Sequence, residues 1–234
     1  MADWVFGPNA AIEAVHAKRA DLVQVVQPVS PRLQRVIDAA VGANVTIEKV
    51  SKDILNRRAQ GARHQNIAVR VSPFVYTPLD DFAGAPGAIM ILDGVTDAGN
   101  LGAICRSAWA MGAAGIVIPK NNAARVTPTT ERASAGATSH LPIACVTNLS
   151  RCIEQLKQHG RWVYAAAANG DVTLEQLDTD EPCAFLLGSE GKGLRPGVAK
   201  AADQSFAIPM VRSFDSLNVS VAAALCLYRA QRLS

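Results

Sequence analysis

This chain lacks an apolar run long enough to cross a bilayer; stretches such as Ala88 to Leu92 and Val219 to Leu227 fall far short. Its start, Met1-Ala2-Asp3-Trp4, has neither the basic residues nor the apolar segment of a signal peptide, so a cytoplasmic protein is expected. Cysteine is sparse. The five residues, Cys105, Cys145, Cys152, Cys183 and Cys226, are odd in number, widely spaced and mostly set in apolar segments. That pattern reads as reduced core thiols rather than a disulfide framework. No CxxC pair occurs, and His16, His64, His140 and His159 lie far apart in sequence, so no motif suggests zinc. Internal repeats and low-complexity tracts are missing as well.

What is present suits a folded domain or two. The 234 residues are 49% hydrophobic, enough to supply a packed core. The net charge of +3 is unevenly distributed. Residues 1–72 carry ten Lys/Arg against six Asp/Glu, residues 73–87 carry two Asp, and residues 88–234 carry thirteen basic against twelve acidic groups. The basic excess therefore sits in the first third. A polyanion-binding surface would need such an excess, and a surface that merely aids solubility would show it too.

Pro73, Pro78, Gly84, Pro86 and Gly87, with Asp80-Asp81 among them, interrupt the apolar periodicity. We place a linker at 73–87 between domains 1–72 and 88–234. Before it, apolar runs at Leu22 to Val26, Val45 to Val50 and Ile67 to Val71 alternate with helix-like stretches around Ala10 to Ala17 and Leu33 to Val41, as in a small α/β domain. The segment from Arg57 to Gln65 has no apolar period and carries Arg57, Arg58, Arg63 and His64 around Gly61. It reads either as an RNA-gripping loop or as a plain loop tip with solvated charges. After the linker, apolar runs at Ile89 to Leu92, Ile116 to Ile118, Ile143 to Val146, Trp162 to Ala166, Ala184 to Leu187 and Phe206 to Ile208 are mostly separated by helical stretches. This spacing predicts a mainly parallel sheet covered on both faces, with ligands at the C-terminal strand ends.

Three loops at those strand ends carry polar chemistry. In the first, Asp93 to Arg106, Asn100 is a candidate helix cap, and Arg106 falls between one and two turns further on. The second, Gly188-Ser189-Glu190-Gly191-Lys192-Gly193-Leu194, has three glycines that let backbone approach a ligand closely. It is neither a Walker A loop nor a GxGxxG turn, and Glu190 would repel phosphate; a cationic ligand with a flat base suits it better. The third runs from Pro209 to Val221, where Ser216 or Asp215 is a candidate cap and Asn218 falls inside the first turn of an apolar helix without a capping role. Its uncharged amide is a candidate for positioning substrate.

Together the loops resemble the three motifs of the SpoU/TrmH family of SPOUT methyltransferases. Asn100-x-Gly102-x-x-x-Arg106 is similar to the first motif, Leu187-Gly188-Ser189-Glu190-Gly191-x-Gly193 to the second, and Ile208-Pro209-Met210 with Ser216-Leu217-Asn218-Val219-Ser220 to the third. The start at Phe6-Gly7 and Gly61-x-x-His64-Gln65 resemble the small substrate-binding domain of the RlmB-type subgroup, which methylates a guanosine ribose of 23S ribosomal RNA. Departures are small: the subgroup has glycine at Asn66 and Pro-His at Ala98-Gly99, and Asn tolerates positive φ better than most residues.

The resemblance implies a small N-terminal α/β RNA-binding domain, a C-terminal α/β domain with a trefoil knot, and S-adenosylmethionine-dependent methylation of a ribose 2′-hydroxyl. Leu187, Gly188, Gly193, Ile208, Met210 and Leu217 would hold the cofactor. Asn100, Arg106, Glu190, Ser216 and Asn218 would serve the transfer, with Arg57, Arg58, Arg63 and His64 on the RNA. No metal is implied. A homodimer is, with Asn100 near the partner's cofactor. A guanidinium is a poor base at neutral pH, so Arg106 is expected to steady phosphate and developing alkoxide, with Glu190 a candidate proton acceptor. A tRNA methyltransferase and a non-catalytic RNA-binding protein of this fold are the alternatives.

Overall fold

The computed structural model describes residues 3–212 and 216–231. It divides into two compact units, 1–75 with 126–140, and 76–125 with 141–234. The first begins with β1 (Asp3–Phe6), α1 (Pro8–His16), β2 (Ala20–Val25), α2 (Pro31–Gly42), β3 (Thr46–Lys49), α3 (Lys52–Ala59) and β4 (Ile67–Val71). The strands form a mixed sheet in the order β1-β4-β2-β3, parallel only between β2 and β3. Proline opens α1 and α2 at the position where a missing N–H costs nothing, and Ser30 caps α2 by accepting from Leu33 N at 3.4 Å. Val5, Val23, Val25, Val69 and Val71 bury one sheet face against α1 and α2; Phe6 and Ala68 meet Leu55 and Ala59 of α3 in a second, smaller core.

The sequence reading of 57–65 as an aperiodic loop needs correction, because Arg57 and Arg58 form the last turn of α3. Only Leu55 and Ala59 of that helix are buried, too few apolar positions to show a period. Asn66, which stands where the subgroup has glycine, adopts φ +64°.

The second unit contains β5 (Ile89–Asp93), α4 (Ala98–Ala110) and β6 (Gly115–Pro119), after which the chain returns to the first unit for α5 (Pro128–Ala133). It continues with β7 (Ile143–Val146), α6 (Leu149–Gln158), β8 (Trp162–Ala166), β9 (Val172–Thr173), β10 (Cys183–Gly188), α7 (Pro196–Ala199), β11 (Gln204–Ala207) and α8 (Val219–Ala230). Seven strands form a sheet in the order β7-β6-β5-β10-β8-β11-β9, and every pair is parallel. Strands buried on both faces need no polar alternation, so β5 and β6 are buried at every position. Ile89, Ile91, Ala184 and Leu186 pack on one face with Ile153 and Leu156 of α6. The alternate residues Met90, Leu92, Phe185 and Leu187 are buried as well, and α8 packs against both β10 and α4.

The stretch 73–87, expected as a linker, includes a 3-10 turn at Leu79–Asp81 and contributes Leu79, Phe82 and Ala83 to the core of the second unit. Arg161, 3% exposed, holds this segment by donating to the carbonyls of Ala83, Ala85 and Gly87 and to that of Cys183 at the start of β10. None of the five cysteines is joined in a disulfide. Burial pushes the Cys105 and Cys152 thiols up to about 12.

Candidate active site

Chain order reverses beside β5: β6 and β7 extend the sheet on one side, while β10 returns to the other with Gly188 in register against Asp93. A crevice outside the C-terminal strand ends is expected at such a point, and all three polar loops emerge there.

The helix caps differ from those expected. Asp97, not Asn100, caps α4, accepting from Asn100 N at 2.7 Å. The carboxylate two residues before the glycine takes the cap, and this leaves the Asn100 side chain free for other contacts. Asn218, expected inside the first turn, is itself the cap of α8 in place of Ser216 or Asp215. Its Oδ1 accepts from Ser220 N at 2.9 Å and from the Ser220 hydroxyl at 2.6 Å. Asp215 lies outside the described residues, and Ser216 is exposed just before the helix.

These caps release two amide groups toward one carboxylate. Glu190 Oε1 accepts from Asn218 Nδ2 at 2.7 Å, from Asn100 Nδ2 at 3.2 Å and from Val219 N at 3.2 Å. Asn218 Nδ2 also lies 3.1 Å from Asn100 Oδ1. One residue from each loop thus meets at a single point within one chain. Glu190 Oε2 accepts no hydrogen bond among the described residues.

Beside this cluster a cleft of about 1060 Å³ opens at the ends of β8, β10 and β11. Leu187, Gly188, Gly193, Ile208, Met210 and Leu217 all line it, as do Glu190 and Ser216. Its glycine loop closes on itself: Ser189 N donates to Gly193 O at 3.2 Å, and Gly193 N returns to Ser189 O at 2.9 Å. A Cβ on Gly188 would lie 2.2 Å from the Gly193 carbonyl carbon, so only glycine permits this closure. Arg106 is exposed on α4, outside the cleft lining, and has no partner among the described residues. Asn100 and Asn218 border the cleft through Glu190 rather than lining it.

Sequence reasoning missed the pair behind the loop. Asp93, 2% exposed at the end of β5, accepts from Arg195 N at 2.9 Å and from Arg195 Nε at 2.7 Å. The available signal was a carboxylate closing an apolar strand. Among the described residues no group of three His, Cys, Asp or Glu side chains is placed to hold a metal ion. No described helix is long and apolar enough to cross a membrane.

In the first unit, Arg57 and Arg63 are exposed, whereas Arg58 lies over the Trp4 ring at 3.7 Å with its Nε buried and unpartnered among the described residues. His64 is buried and serves the fold. Its Nδ1 accepts from Asn66 N at 3.1 Å, so the proton lies on Nε2, 2.9 Å from Asn56 Oδ1. Burial and then nearby Lys52 hold this ring below its ordinary value of 6.5.

Residues 87–228 match the SpoU rRNA Methylase family, and residues 4–77 match the RNA 2′-O ribose methyltransferase substrate-binding family. The chain is 38% identical over 238 residues to the putative TrmH family tRNA/rRNA methyltransferase YacO of Bacillus subtilis, covering 98% of this chain and 95% of that protein. It is 36% identical to the 23S rRNA (guanosine-2′-O-)-methyltransferase RlmB of Pseudomonas syringae, covering 97% and 94%. Its fold superposes on the AdoMet-bound rRNA methyltransferase of Sinorhizobium meliloti with a TM-score of 0.83 at 24% identity, covering 98% of this chain and 86% of that one. With three loops meeting at Glu190 and both domain matches in sequence order, the chain belongs to the SpoU rRNA methylase family.

Proposed function

We propose that this chain transfers a methyl group from S-adenosylmethionine to the 2′-hydroxyl of a guanosine in 23S ribosomal RNA. The observation that carries this reading is the convergence of Asn100 and Asn218 on Glu190 at the rim of a cleft lined by all six cofactor residues expected from the motifs. The cleft fits the cofactor in kind. Its volume suits a nucleoside-sized ligand, and its glycine loop presents backbone where any side chain would intrude.

When bound, the sulfonium supplies an already activated methyl group, so no metal is needed. The chain's own task is to orient the ribose and accept its proton. Asn100 and Asn218 fix Glu190 through Oε1, leaving Oε2 to receive the hydroxyl proton. Ser216, exposed at the cleft, orients the ribose beside it. Arg106, exposed and without a partner among the described residues, meets the adjoining phosphate and steadies charge on the attacking oxygen. In the first unit, exposed Arg57 and Arg63 engage the RNA backbone, Arg58 lies ready beside Trp4, and His64 braces the end of α3 from within.

A homodimer completes the site. Val221, Leu225 and Tyr228, spaced by four and three residues along α8, expose one apolar stripe, and Trp109 of the neighbouring α4 is half exposed. Arg106 lies three residues before Trp109 on the same helix, so packing such stripes together would place it at the subunit interface. The C-terminal domain is read as carrying a trefoil knot, and the compartment as the cytoplasm.

Mapping 2′-O-methylation across total cellular RNA, with and without the protein, tests the function. Loss of one guanosine mark in 23S RNA is the expected result. Loss of a transfer RNA mark would redirect the substrate. Unchanged methylation with retained RNA binding would make the protein a non-catalytic binder.

A further inference from the structure

The glycine loop between Gly188 and Leu194 is internally closed, so its placement depends on what holds its two ends. Its entry is fixed by the sheet, where Gly188 pairs in register with Asp93. Beyond its exit stands Arg195, and both Asp93 oxygens are occupied by this one residue, Oδ2 by the backbone N and Oδ1 by Nε. A Cβ on Gly94 would lie 3.5 Å from Ser189 Cβ, so the residue after Asp93 also approaches the loop. Asp93 at the end of β5 therefore holds both ends of the loop, the entry through strand pairing and the exit through its carboxylate, while Glu190 ties the tip to α4 and α8.

The two members of the pair differ in their surroundings. The Asp93 side chain is 2% exposed and that of Arg195 is 59% exposed. A buried carboxylate that loses its cation retains the whole cost of leaving water, whereas an exposed guanidinium that loses its carboxylate is simply solvated. Removing Arg195 alone must therefore disturb the loop more than neutralising Asp93, which as asparagine still offers an acceptor to Arg195 N.

We propose that Asp93 and Arg195 are positioning residues for methyl transfer, setting the glycine loop at the place where it holds the cofactor. The proposal rests on the cofactor reading above and adds two residues that none of the three motifs includes. Neither side chain is needed at the reacting atoms; both act through the backbone of Gly188 to Leu194.

Calorimetric titration of purified protein with S-adenosylmethionine, alongside steady-state kinetics, tests this. Arg195→Ala is expected to bind roughly tenfold more weakly, the scale of one lost charged hydrogen bond, with kcat at saturating cofactor within about twofold of wild type. Arg195→Lys, which keeps the charge, recovers part of the affinity and guards against an alanine variant that fails to fold. The sign of the coupling is the sharper test. Asp93→Asn combined with Arg195→Ala binds more tightly than Arg195→Ala alone, because no buried charge is left unpaired. Equal affinity in wild type and all variants overturns the proposal, and so does a fall in kcat with affinity unchanged, the mark of a purely structural role. Wild-type protein that takes up no cofactor overturns the cofactor reading and this proposal with it.

Discussion

Asn218 uses both ends of one amide. Its oxygen caps α8, and its nitrogen donates to Glu190 and Asn100. The two tasks are separable. Asn218→Ser retains a capping oxygen but loses the donor, so its melting temperature should stay near wild type while methyl transfer falls by about one to two orders of magnitude, as for a lost charged hydrogen bond. Asn218→Ala should lose the same activity and about 1 kcal/mol of stability as well, measurable by denaturant unfolding. Arg106→Ala, which touches no cap, should keep its stability and lose transfer; full activity there would remove Arg106 from the site. The sequence singled out Asn100, Arg106, Glu190 and Asn218 by type and order. It could not show that Asn218 also caps, because Ser216, Asp215 and Asn218 are all good caps, and the choice among them depends on contacts with Glu190 from a loop 28 positions away.

Among the elements, the strands of the second unit were the most legible, since burial on both faces turns each into an unbroken apolar run. α3 was hidden for the opposite reason. It buries only Leu55 and Ala59, and its C-terminal turn is Arg57-Arg58, with Gln60 beyond it in the left-handed region. What secures its exit is His64, an RNA candidate in sequence and a buried hinge pin in the structure. The fold holds the neutral ring and keeps its pKa below 6.5, so protonation favours the unfolded chain. Stability from this contact is full above about pH 6.5 and is lost as pH falls below it. Thermal unfolding followed between pH 7.5 and 5 should show that decline in wild type and a smaller one in His64→Gln; matching slopes would mean that His64 does not carry it.

Two surfaces matter at the scale of the whole molecule. The exposed stripe of α8 predicts that Leu225→Glu with Tyr228→Glu shifts a wild-type dimer toward monomer in sedimentation and lowers activity together with assembly. A wild-type chain that sediments as a monomer would leave the stripe without its proposed partner. The other surface concerns residues 126–140, which the chain delivers to the first unit from within the second. There Glu131, 5% exposed, is paired with Arg19, and Gly136 sits where a Cβ would press into Glu13. Apolar periodicity gave no sign of this return, because a linear reading assigns a segment to the neighbours it has in sequence. The RNA-reading and catalytic parts are therefore interleaved in the gene. A chimera that takes only residues 1–75 from a relative would set a foreign surface against the native Glu131, and grafting a new target preference requires 126–140 to be inherited with it.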